Sequence, residues 1–362
     1  MDAKGMFDDL LAECVALGAS DLHLSSHEPA IFRLYGALRR REGEPLSQEQ
    51  IEGMASAVMT EHQRREFAGR HTTDLGYTAS NGERFRINCY REMGRPAIAV
   101  RHLDQQMLSL EKLHLPPQLR QLAYIKSGLV LVTGATGSGK STTLAALLDE
   151  INRNRECHIL TVEDPVEFVH NGRKSLVHHR ELYTDVAGFA DAVRAAMRED
   201  PDVIMVGEMR DLETMRAAIT AAETGHLVFS TLHTGEAVGS VERLVGSFPG
   251  EEQSVARHRI AMTLRAVVAQ HLVPTRDEKG RVPAVEILMV TRAVANMIET
   301  AKTRQIYSTI ESGSGEGMQT LDQALAELIR KRLVSREAAL SACHDSSALD
   351  RLVRVSGATG GW

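Results

Sequence analysis

At 362 residues, with 43% hydrophobic and 4% aromatic side chains, the chain is long enough for two globular domains. Its net charge of -6 excludes the basic balance of a nucleic-acid coat protein. Cys14, Cys89, Cys157 and Cys343 lack the CxxC spacing of a zinc or redox pair, and neither a signal peptide nor an apolar run of roughly twenty residues is evident, so the expectation is a soluble, cytoplasmic protein.

The first elements are short and mixed. FDDLLAECVALG has apolar residues at helical spacing and stops at Gly18. DLHLSS and AIFRLYGALRR alternate as strands, with Gly36 at a turn. SQEQIEGMASAVMTEHQRREF reads as one amphipathic helix with Ser47 as its N-cap. In RFRINCY, Phe85, Ile87 and Cys89 share one strand face, and Arg84, Arg86, Asn88 and Tyr90 share the other. EMGRP turns the chain back into a second strand, AIAVR. Residues 1–103 are therefore expected to form a small α+β domain with an antiparallel sheet, and 104–127, with a proline pair, a linker. From 128 onward, GLVLVTG, HILTVEDP, DVIMVGE and HLVFSTLHT are apolar strands separated by helical segments, the pattern of a mostly parallel sheet wrapped on both faces. Beyond about residue 250 the chain reads as helical, with SGSGEG at 312–317 as a flexible joint and SGATGGW as a frayed tail.

GATGSGKST, residues 134–142, fits the phosphate loop GxxxxGK[ST] between a strand and a helix. Gly134, Gly137 and Gly139 let backbone N–H groups turn towards phosphate oxygens, with Thr136, Ser138 and Thr142 completing the loop. Lys140 reaches the β- and γ-phosphates, Ser141 can ligate Mg²⁺, and the following helix points its positive end at the anion. ATP and Mg²⁺ are the implied cofactors. Hydrolysis also needs a positioned water and positive charge on the transferred group. Glu163 and Glu208 follow apolar strands, where an open parallel sheet presents residues to its ligand crevice. One such acid alone could be a helix cap; two beside a phosphate loop point to catalysis. Glu163 is assigned as the base that orients water and Glu208 as the acid holding the Mg²⁺ shell, although sequence does not separate the two roles. His226 and His233 bound one strand; His233, at its crevice end, is a candidate γ-phosphate sensor, and His226 reads as structural.

These segments together resemble the secretion and pilus traffic ATPases, and most closely the type IV pilus retraction ATPases. ASDLHL (19–24), RFRIN (84–88), GATGSGKST, ILTVEDPVE (159–167), AAMREDPDVIMVGEMRD (195–211), TAAETGHLVFSTLHT (220–234) and GMQTLDQAL (317–325) carry the resemblance across nearly the whole chain. It implies an α/β fold class: a RecA-like phosphate-loop ATPase domain over 128–362, with a smaller N-terminal α+β domain of PAS-like type. It further implies a homohexameric ring, cytoplasmic and peripheral to the inner membrane, docked on a pilus platform protein and possibly working with a related pilus ATPase. In this family arginines of the N-terminal domain reach the γ-phosphate, and Arg86 and Arg101 stand at the matching positions. Arg91 and Arg95 are weaker candidates, and Arg84 reads as part of a solvated face.

The resemblance implies ATP hydrolysis driving pilus retraction and twitching motility. The chain lacks the extra N-terminal domain and four-cysteine module usual in assembly and type II secretion relatives, although a secretion or DNA-uptake role is the alternative within the family. One segment departs from the pattern: where the family reads AIRNLIRE, this chain reads AVANMIET at 293–300, with Ala295, Glu299 and Thr300 replacing Arg, Arg and Glu. That segment is tied to retraction rather than hydrolysis, so an auxiliary paralogue is the alternative reading. A RecA-like nucleic-acid motor is the rival from another class. The arginine hairpin carries few aromatics beyond Tyr90 for base stacking, which argues against it.

Overall fold

The computed structural model describes residues 2–357, so most of the SGATGGW tail lies outside the described residues; Ser356 and Gly357 close the last helix. The chain divides into two compact units. The first comprises residues 1–106, 163–169 and 179–188, and the second comprises 107–162, 170–178 and 189–362.

In the first unit, α1 (Ala3–Ala16) is followed by β1 (Asp21–Ser25), β2 (Ile31–Leu34) and β3 (Ala37–Arg40), then α2 (Gln48–Val58) and α3 (Glu61–Arg70). β4 (Thr72–Thr78), β5 (Arg84–Glu92) and β6 (Arg95–Leu103) complete a six-stranded sheet in the order β3-β2-β1-β6-β5-β4. Phe85, Ile87 and Cys89 are buried as their alternation requires, in a core with Phe7, Leu11, Leu22 and Ile98. The single helix expected after Ser47 is two. Ser47 caps α2 as expected, but Thr60 opens α3 with its own capping box, accepting from Gln63 N–H while the Gln63 side chain accepts from Thr60 N–H. This satisfies the orphan donors of a second helix start, so the chain breaks at Met59.

The second unit begins with residues 107–127, which include a 3₁₀ helix (Pro117–Tyr124). Leu110, Leu119 and Leu122 of this segment sit in the same core as Val130, Leu147, Phe229 and Val268. Then follow β7 (Gly128–Thr133), α4 (Lys140–Asn154), β8 (His158–Glu163), β9 (Leu176–Glu181), α5 (Phe189–Ala196), β10 (Val203–Val206), α6 (Leu212–Glu223), β11 (Leu227–Leu232), α7 (Ala237–Gly246) and α8 (Gln253–Thr263). The expectation of an all-helical chain beyond residue 250 is corrected by β12 (Leu264–Pro274) and β13 (Arg281–Met289). LRAVVAQHLVP is a nearly continuous apolar run, the signature of a strand covered on both faces, and it pairs in parallel with β7. β13 returns antiparallel beside it, giving the order β13-β12-β7-β11-β10-β8-β9 around a parallel centre. The helices α9 (Arg292–Glu299), α10 (Ile306–Ser312), α11 (Leu321–Arg330), α12 (Arg336–Ala342) and α13 (Ser346–Gly357) finish the unit. The 312–317 joint is a short 3₁₀ turn ending at Gly317, φ +81°. Among the described residues no helix is long and apolar enough to cross a membrane.

Candidate functional site

In the second unit, β7, β11 and β10 run parallel, so Gly134, His233 and Gly207–Glu208 leave the sheet along one edge. The loop between β7 and α4 is built by glycines at φ +145° (Gly134), +78° (Gly137) and +86° (Gly139), backbone that L side chains rarely adopt. Gly139 stands at the N-cap of α4, where uncapped helix N–H groups and the helix dipole favour an anion. Lys140 is buried, and its Nζ donates to the carbonyls of Gly134 and Ala135, each at 2.9 Å, so its ammonium is held across the mouth of the loop. Ser141 and Thr142 occupy the first turn of the helix, half-buried.

Glu208 follows β10. Its Oε2 is ion-paired with Arg210 Nε at 2.7 Å and lies 3.4 Å from His233 Nε2. The two strand-end candidates, Glu208 and His233, are thus in contact. Thr231 steadies this corner by donating its hydroxyl to the Gly207 carbonyl at 2.7 Å. A second hydroxyl link runs from Thr133, immediately before the loop, to Ser240 at 3.2 Å and on to Thr234 at 2.6 Å, beside His233. His226 is structural as read, its Nδ1 on the Ala221 carbonyl at 2.9 Å. The sequence reading missed Arg210, Thr133, Ser240 and Gln270. Gln270 is a polar residue in a largely apolar strand, the available signal of a buried side chain with a specific partner. Among the described residues no group of three or more His, Cys, Asp and Glu gathers as a metal cage.

In the first unit, Glu163 is buried, accepts from Glu167 N–H at 3.4 Å and lies 3.8 Å from His179 Nδ1. The arginine hairpin sorts by burial. Arg86 and Arg101 are register partners on β5 and β6, so two guanidinium side chains share one face directly opposite each other. Arg101 is in turn opposite Asp21, with its Nε on Oδ1 at 2.9 Å, and Arg86 Nε is 3.6 Å from Asp74. Both arginine side chains remain open to solvent, 44% for Arg86 and 68% for Arg101. Burial raises the pKa of Asp21, but the Ser20 hydroxyl and Arg101 outweigh it and hold the carboxyl below its ordinary range. Arg84 is not part of a solvated face: its side chain is 16% exposed, and it bonds Glu181 and the Val166 carbonyl, both at 2.9 Å. Arg91 folds over the Phe67 ring of α3 and donates to the Gly94 carbonyl, so it is engaged by its own unit.

The family model described as type II/IV secretion system protein matches residues 3–337. The chain belongs to this family. Among its relatives, the type IV pilus retraction ATPase PilT of Pseudomonas aeruginosa is 45% identical over 91% of this chain and 95% of its own. A twitching motility protein of Neisseria gonorrhoeae is 43% identical, over 93% and 94% of the two chains. The crystal structure of the pilus retraction motor PilT with bound ADP superposes with a TM-score of 0.87, at 40% identity, over 95% of this chain and 98% of that one. The fold of this chain is the α/β class expected from the alternation of strands and helices.

Proposed function

We propose that the chain is an ATP-hydrolysing motor that powers type IV pilus retraction and thereby twitching motility. The observation that carries this reading is the loop at 134–142, with three glycines at positive φ and Lys140 held across it, in a chain 45% identical to a pilus retraction ATPase. Gly134, Thr136, Gly137, Ser138, Gly139, Lys140, Ser141 and Thr142 hold the phosphates. Mg²⁺ neutralises phosphate charge when bound, with the Ser141 hydroxyl and the Glu208 carboxylate as its protein oxygens. Glu163 orients the attacking water, Glu208 would hold the ion's shell, directly or through water, and His233, in contact with Glu208, reports the γ-phosphate.

Arg86 and Arg101 supply charge to the transferred phosphoryl group. Like charges directly opposite on a sheet are unfavourable, and an anion between them relieves the cost. Arginine suits the role because its planar fork pairs two phosphate oxygens and stays charged. Residues 1–103 act as the arginine-bearing domain, 104–127 as the connection and 128–362 as the ATPase domain. The working assembly is a cytoplasmic homohexamer docked on the inner-membrane pilus platform. The altered α9, with Ala295 and Glu299, favours a second reading as an auxiliary partner of a related pilus ATPase.

The test is deletion of the gene in its own host, scoring twitching and surface piliation, with complementation by the wild type and by Lys140→Ala. Hyperpiliated, non-twitching cells restored only by the wild type support the proposal. Unchanged motility and piliation would sink it, and stimulation of ATPase by single-stranded DNA would favour a nucleic-acid motor instead.

A further inference from the structure

Gln270, on β12, is 2% exposed, and both ends of its amide are used. Nε2 donates to the Ser138 carbonyl inside the phosphate loop at 2.6 Å, and Oε1 accepts from the Thr143 hydroxyl in the first turn of α4 at 2.7 Å. The loop is built around this approach. A Cβ at Gly139 would stand 2.8 Å from Gln270 Nε2, and one at Gly134 would collide with the Gln270 carbonyl oxygen. The backbone of residue 270 thus leaves no room for a Cβ at Gly134, while at Gly139 the close approach is to the end of the Gln270 side chain.

The bond to Ser138 has a directional consequence. In a planar trans peptide the C=O and the N–H point opposite ways. Drawing the Ser138 carbonyl onto Gln270 sends the N–H of the same peptide, that of Gly139, away from Gln270. We infer that Gln270 is a positioning residue for nucleotide binding: it locks the Ser138–Gly139 peptide so that the Gly139 N–H is preset as a phosphate donor, and ties that peptide to the first turn of α4. The inference rests on the reading of residues 134–142 as the phosphate loop. The neighbouring His271 has a parallel contact, its Nε2 on the Gly235 carbonyl at 2.9 Å, so β12 braces the segment after His233 as well. A loop preset in this way binds without paying to order itself, and the benefit appears in affinity rather than in turnover of bound nucleotide.

The test uses the full chain, a fluorescent ADP analogue and steady-state ATPase. Gln270→Met keeps the volume and removes both bonds. It is expected to raise the ADP Kd and the ATP KM by about tenfold or more, with kcat within about threefold. Gln270→Glu gives the reading that a merely structural role would not give. Ionised, it faces the Ser138 carbonyl with no donor; protonated, it donates an O–H in place of Nε2. Burial raises a carboxyl's pKa, so its affinity relative to wild type should recover as pH falls from about 8 to about 6, while that of Gln270→Met stays flat. A folded Gln270→Met variant with the wild-type Kd would overturn the inference, as would a pH-independent defect in Gln270→Glu should the Met variant not fold. Absence of nucleotide binding by the wild type would overturn the phosphate-loop reading itself.

Discussion

Arg84 and Arg86 are two residues apart on one strand, yet their surroundings assign them opposite work. Arg84 and Glu181 are both largely buried, and Glu181 also accepts from Val166 N–H at 3.2 Å. Removing the guanidinium leaves a buried carboxylate without its counter-charge. Arg84→Ala should therefore destabilise the first unit by about 3 kcal/mol, read as a shift in the denaturant midpoint. Arg86→Ala should leave that midpoint within about 1 kcal/mol, because an exposed pair contributes little, whereas Arg101→Ala should lower it, because the buried Asp21 loses its bonded guanidinium; ATPase activity is lost in both. Lysine should rescue either poorly, since a point charge does not reproduce the fork. Normal hydrolysis by both alanine variants would reduce the exposed arginines to surface charge. Lys140→Ala should abolish hydrolysis, and Glu163→Gln and Glu208→Gln should bind ATP but turn over about a hundredfold more slowly if each acts on the water or its proton. Wild-type turnover in either glutamine variant removes that residue from the mechanism.

At the scale of elements, β13 carries a carboxyl that sequence alone gives no reason to single out. Glu286 is 3% exposed, and its Oε1 accepts from Ala237 N–H, the first residue of α7, at 2.7 Å. Desolvation raises its pKa above the ordinary 4.5, and the backbone donor of Ala237 offsets part of that. A raised folded pKa means that the native state holds the proton more tightly than the unfolded chain does. The resulting stability is complete below about pH 4.5 and is lost as pH rises through the raised value. Glu286→Gln has no such term, so its denaturant midpoint should gain on the wild type's as pH is raised from about 4.5 and then level off. A gap that does not change with pH would show that Glu286 has the same pKa folded and unfolded. The elements also show where the sequence was readable. RFRINCY and the strand-loop-helix of GATGSGKST declare themselves through period-two alternation and glycine spacing. The β12–β13 hairpin did not, because a strand buried on both faces has no alternation and is confused with a buried helix. The Thr60 break was hidden inside continuous helical periodicity, and only the Thr–Gln spacing of its capping box marks it. Arg84 could not be told from Arg86 because its partner, Glu181, is 97 residues away in sequence.

For the molecule as a motor, the question is whether hydrolysis and output can be separated, and α9 is where they should part. Val294 and Ile298 are buried and keep the helix seated in the second unit, so the change from the family's AIRNLIRE to AVANMIET leaves its apolar face intact. The exposed side has changed in charge. Glu299 now accepts from His258 of α8 at 2.9 Å, where the family carries an arginine that would repel a protonated histidine. The substitutions leave the buried residues that seat α9 unchanged, and the new charge, Glu299, is exposed and engaged by His258. ATPase activity should therefore be near that of an unaltered relative, while retraction by this protein alone is weak and depends on a partner ATPase. Ala295→Arg, Glu299→Arg and Thr300→Glu together should raise twitching in a strain lacking any related ATPase, without a matching rise in hydrolysis by the purified protein. A parallel rise in both would mean that α9 acts through the nucleotide site. Full retraction by the unaltered protein in that strain would show that the charge reversal on this helix costs the motor nothing.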